Sequence, residues 1–126
     1  MLTLLLCLSL EAYASDAGYR KLEADKHVTG LLSMLQARRQ HSGIHGLRYC
    51  AKLSADCKEN NRLQRQLGAG CYLSYRFTYI AANGMWPIHA FGAMFGDDPG
   101  ETESYYPSLR RFGADYDGHF WTVVIE

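Results

Sequence analysis

Acid–base chemistry in this chain would have to come from a histidine beside a carboxylate. His119 lies in "DGHFWTVV" (117–124), and Glu101 and Glu103 lie in "DDPGETESYYPS" (97–108). An imidazole oriented by a carboxylate within hydrogen-bond reach is a general base, so His119 with Glu101 or Glu103 describes a small hydrolase. Set against this, a turn histidine near an acidic loop is commonly just solvated. His41 and His45 flank Gly43 in a turn and are expected in solvent, whereas His89, beside Ile88 and Phe91, is expected to be half-buried. No C-x-x-C occurs and the five histidines are scattered, so neither a metal site nor a cofactor is expected.

Aromatic residues offer a second chemistry. Nine Tyr, five Phe and two Trp supply large amphipathic surfaces. Tyr75, Phe77, Tyr79 and Trp86, with His119, are the candidates for lining a groove that takes a sterol, a fatty acid or a peptide; Tyr72, Tyr105 and Tyr106 fall in the same segments. The competing expectation is that these rings fill the core.

Composition limits both readings. With 126 residues, 48% hydrophobic and 21% charged, the chain holds one core. Lys plus Arg and Asp plus Glu both number 13, so no net positive charge favours nucleic acid, which is not expected as a partner. "MLTLLLCLSLEAYA" (1–14) reads as a signal peptide cleaved after Ala14, leaving a secreted, extracellular domain over 15–126. Its apolar run, Leu2 to Leu10, is too short to span a bilayer, so the chain is not expected to be transmembrane. Secretion makes a disulfide plausible among Cys50, Cys57 and Cys71, with one thiol left over. On one helix, residues seven apart lie about 10 Å apart, which favours Cys57–Cys71 over Cys50–Cys57.

Periodicity then supplies the elements. Val28, Leu31, Leu32 and Leu35 form a stripe that predicts a helix over 27–40, with Gln36, Arg38 and Arg39 facing water or the helix edge. Leu53, Cys57, Leu63 and Leu67 predict a second over 51–67, closed by Gly68. "CYLSYRFTYI" (71–80) alternates as a strand does, and Pro87 starts a short helix over 87–95 that buries Ile88, Phe91 and Phe95. Asp117-Gly118 is a two-residue turn signal, so 109–125 should be a hairpin apolar on both faces. Together these predict an α+β fold, an α-β-α sandwich with helices covering a small antiparallel sheet.

The order of segments resembles the CAP, or SCP-like, domain of pathogenesis-related and cysteine-rich secretory proteins. "LLSMLQARRQHSGIHGLRYCAKLSADC" is similar to the family's N-x-x-R helix, Gly-rich turn and Ala-rich second helix. "YIAANG" (79–84) resembles E-N-I-A-x-G, "DDPGETESYYPSLRRFGADY" the segment that opens S-P-G-H-R, and "GHFWTVVI" the last strand. The resemblance spans about residues 28–125 and implies a secreted module that binds a lipid, a sterol or an extracellular protein. Its central cleft would carry two His and two Glu, but here Thr78 and Tyr79 stand at the Glu and Asn of E-N-I, Glu101 follows Pro99-Gly100 where a His is expected, and Val123 replaces a Gln. His119 alone carries over, and in an alternative register Phe120 takes its place. The degraded tetrad implies a binding or interaction module rather than an enzyme; a degenerate copy without activity is the remaining alternative.

Overall fold

The structure, a computed structural model, describes residues 26–82, 86–96 and 103–126. Residues 1–25, which include the signal peptide expected over 1–14, and Glu101 lie outside them. Helix α1 (Lys26–His41) leads through a turn to strand β1 (Arg48–Tyr49), then to helix α2 (Ala51–Leu67) and strand β2 (Thr78–Ala81). Helix α3 (Pro87–Phe95), a 3-10 turn (Glu103–Tyr105) and the hairpin of β3 (Arg111–Tyr116) and β4 (Trp121–Ile125) follow. The three helices begin and end within a residue of where their patterning places them.

Four strands form one sheet in the order β1-β3-β4-β2. β4 pairs antiparallel with both β3 and β2, whereas β1 adds two residues parallel to β3, so the sheet is mixed rather than purely antiparallel. A parallel neighbour needs a crossover, and α2 supplies none between β1 and β3 directly; it is the whole run from α2 to α3 that returns the chain.

Helices α1 and α3 cover one face and α2 the other. On the first face Val28, Leu31, Leu35, Phe91, Phe95, Phe112, Trp121, Val123 and Ile125 are buried together. On the second, Leu53 and Cys57 of α2 meet Val124. Alternation along β4 explains this: with every residue from Trp121 to Ile125 buried, odd positions face α1 and α3 and even positions face α2. Gly113 sets the approach of α2, because a Cβ there would lie 2.3 Å from Leu53 Cβ and 2.5 Å from the Leu53 carbonyl carbon.

Several sequence expectations change. Arg39, expected at the surface, is fully buried: its Nε donates to His45 O (2.7 Å), Nη1 to Ser104 O (2.5 Å) and Nη2 to Leu109 O (3.0 Å). Gln36 exchanges two hydrogen bonds with the Leu47 backbone (2.6 and 2.7 Å). Ile88 is exposed and Ala90 and Met94 take its place beside Phe91 and Phe95; His89 is exposed too. The strand expected over 71–80 is confined to Thr78–Ala81. The reason is polar: α2 side chains hold the backbone of residues 70–72, as described next.

Candidate functional site

Two groupings of side chains stand out, one on each face of the sheet. Under α2 the buried residues are Leu53, Cys57, Asn60, Asn61 and Gln64, and Leu67 is largely exposed. Thr122 Oγ1 accepts from Asn60 Nδ2 (3.0 Å) and Gln64 Nε2 (3.1 Å) and donates to Asn61 Oδ1 (2.6 Å). Asn61 Nδ2 reaches Asp115 Oδ2 (2.9 Å). The remaining amide atoms go to the following loop: Asn60 Oδ1 accepts from Tyr72 N (2.6 Å), Gln64 Oε1 accepts from Gly70 N (3.1 Å), and Asn60 Nδ2 donates to Gly70 O (3.2 Å). Amide side chains thus do for residues 70–72 what a strand ladder would otherwise do. Three amides and a hydroxyl hold no proton-transfer group that titrates near neutrality, so this network organises structure. The signal was present in sequence: the helical spacing begun by Leu53 and Cys57 continues onto Asn60, Asn61 and Gln64, whereas Leu63 is only half-buried and Leu67 is exposed.

The second grouping is a column of rings at the hairpin-tip end of the other face. Trp86 stacks on His27 (centroids 5.3 Å, 18° between planes), His27 lies against Tyr116 (4.8 Å, 41°), and Tyr116 stacks on Trp121 (4.6 Å, 22°). Exposure grades along it: Trp86 retains 63% of its surface, His27 and Tyr116 are half-buried, and Trp121 is fully buried. Local chemistry positions the outer ring. Pro87 sits at the first helical position of α3, leaving Trp86 as the extended residue before it (φ −64°, ψ 158°). Gly30 of α1 lies against Pro87, where a Cβ would make an ordinary contact with Pro87 Cγ at 3.4 Å. One turn earlier on the same helix face, His27 therefore meets Trp86. Ile88, also 67% exposed, lies in the first turn of α3 beside it.

The expected ligand-lining residues do not share one wall. Tyr75 lies on the α2 face, where it packs near Leu53 and Val124; its hydroxyl contacts Asp56 and accepts from Lys52 Nζ (3.2 Å). The Asp56 carboxylate pushes the Tyr75 hydroxyl above the ordinary phenol range. Tyr79, paired with Val123, faces α3 and meets Phe95 edge-on (4.8 Å). Burial pushes its hydroxyl up to about 12. Phe77 is at the opposite end of the sheet from Trp86, its carbonyl accepting from Ile125 N and its ring edge-on to Tyr106 (6.0 Å). His119 is exposed in the hairpin turn, preceding β4 rather than lying on it.

That turn is centred one residue later than Asp117-Gly118 implies. Gly118 takes φ +94°, and Asp117 Oδ1 accepts from the His119 and Phe120 amides (2.9 and 2.7 Å). Glu103 opens the 3-10 turn, whose Ser104 carbonyl is held with Leu109 by Arg39. Leu109 leads into the start of β3 and His119 follows its end, and no contact between Glu103 and His119 is seen among the described residues. Among the described residues no three His, Cys, Asp or Glu side chains converge as metal ligands. Cys50, Cys57 and Cys71 are free thiols. Cys57 is buried under the sheet, and that burial pushes its thiol strongly up.

No family model matches the chain, and a search of curated proteins finds no match. The assignment of function therefore rests on the residues themselves.

Proposed function

We propose that the chain is a secreted, CAP-like binding module whose ligand is a flat apolar ring system, a sterol, docked on Trp86. The observation that carries this reading is the exposed indole held at the end of a four-ring column. A large exposed ring on a flexible side chain would lose rotamer freedom on binding; one already stacked on His27 is pre-ordered, so less is lost. Ile88 extends the apolar surface beside the indole, which suits a fused ring system better than a small polar ligand.

The CAP reading draws support from element order. The segment similar to the family's first helix, Gly-rich turn and second helix runs from α1 to α2, and of the three segments quoted after it the first begins on β2 and the other two reach the β3–β4 hairpin. Equilibrium binding of a radiolabelled sterol to the wild type and to Trp86→Ala tests the proposal. Saturable binding that weakens at least about tenfold in the variant is expected, one buried ring being worth roughly 1.5–3 kcal/mol. Equal binding by both proteins, or none by either, overturns it.

A further inference from the structure

The two edges of the sheet are finished differently. The β1 edge is two residues long and carries the exposed Arg48, and shortness and charge both blunt an edge against further pairing. The β2 edge has neither protection: residues 77–82, "FTYIAA", hold no charge, no Pro and no Gly, and Phe77 to Ile80 all favour strands. Register shows which of its groups face outward, because antiparallel partners alternate between pairs that exchange backbone hydrogen bonds and pairs that do not. Ile125 N donates to Phe77 O (3.1 Å), so Phe77, Tyr79 and Ala81 direct their backbone groups at Ile125, Val123 and Trp121. Thr78 and Ile80 therefore direct theirs away from β4. The other side of β4 agrees: Arg111 and Glu126 exchange both bonds (2.7 and 3.0 Å), which turns the backbone groups of Val124 and Thr122, the register partners of Thr78 and Ile80, toward β3. Among the described residues no strand lies beyond β2.

An open row of N–H and C=O groups is a template for another strand. We propose that the occupant is a second copy of this chain, joined antiparallel through β2 about a two-fold axis at Tyr79, so that Thr78 exchanges backbone bonds with the partner's Ile80 and the four-stranded sheet is doubled. Charge favours a second copy over a foreign strand. Self-pairing sets an uncharged segment against itself and sends the nearest charge, Arg76, to opposite ends of the ladder, so no like charges face one another. The formal net charge of the chain is zero, so two copies approach without mutual repulsion. Apolar surface adjoins the edge as well. The exposed Ile80 is the register partner of Thr122, whose hydroxyl Asn60 holds, and Asn60 also accepts from the amide of Tyr72, a second exposed apolar side chain. A two-fold contact covers such residues on both copies at once. This surface is independent of the sterol reading, since no ring of the Trp86 column belongs to β2.

The test is sedimentation of the full chain over a concentration series, with amide hydrogen exchange measured at the lowest and highest concentrations. A monomer–dimer equilibrium is expected in which the Thr78 and Ile80 amides gain protection as the dimer forms, while the Tyr79 and Ala81 amides, bonded to β4, are protected throughout. Ile80→Pro removes an N–H that β4 does not use, so the fold should survive and the dissociation constant should rise at least about tenfold, both copies losing a bond. Ile80→Lys places a charge on the edge, should weaken pairing to a similar degree, and answers for a Pro variant that does not fold. The inference is overturned if the chain stays monomeric at every concentration, or if a dimer forms that neither variant weakens. It is overturned too if the Thr78 and Ile80 amides are protected equally at all concentrations, which would mean that another segment of the chain already covers the edge.

Discussion

Asp117 shows how single residues fix the hairpin tip. Burial pushes its carboxyl up, but the hydrogen bonds from Arg65 Nε (2.5 Å) and from the Phe120 and His119 amides win, and the carboxyl is held below its usual range. A carboxyl whose folded value is depressed contributes stability above its unfolded value, near 3.9, and loses it as pH falls through the folded one. Asp117→Asn keeps an amide acceptor for the turn and removes the ion pair, so it should cost no more than about 1 kcal/mol at pH 7. In urea denaturation the gap between wild type and variant should close as pH falls below about 4; a gap that persists at lower pH would contradict the assignment. His119→Ala, by contrast, removes an exposed ring whose contact is the edge of Phe120, and should change stability by no more than about 0.5 kcal/mol. The residue with the most chemical promise in the sequence is thus a turn residue in space. Its place in the turn is a property of the hairpin's length and register, which one histidine in a sequence does not specify.

At the scale of elements, the contact of α2 with the sheet depends on what is missing at Gly113 and on what is buried at Asn60. Gly113→Ala places a carbon inside van der Waals distance of Leu53 backbone atoms, so the helix must move; a loss of about 3 kcal/mol in chemical denaturation is expected. Asn60→Ala leaves Tyr72 N and Thr122 Oγ1 each short of a partner, costing about 2–3 kcal/mol, and the Tyr72 amide should lose most of its protection from hydrogen exchange. Protection unchanged in that variant would show that the loop does not depend on α2. Helix positions were legible because Val28, Leu31 and Leu35, the Pro87 start and the Gly68 end are local signals. The strand over 71–77 was misread for an equally physical reason: its alternation is real, but its backbone partners are side chains contributed by a helix.

For the molecule as a whole, three layers follow from a β4 buried on both faces and from helices with one covered side each. Patterning gives that architecture, whereas the site depends on rings from α1, β3, β4 and the start of α3 meeting at one end. Trp86 was a candidate from its type alone; His27 and Tyr116, which hold it, were missed because no spacing within one element links them. If the chain is exported, N-terminal sequencing of protein recovered from the medium should begin at Ser15, and protein retained with Met1 would contradict secretion. The central claim, a ring ligand on the Trp86 column, is tested most directly by the two indole N–H resonances during sterol titration. The account predicts that the Trp86 signal shifts saturably while that of buried Trp121 moves far less. A titration in which neither signal moves, or in which Trp121 moves and Trp86 does not, would contradict it.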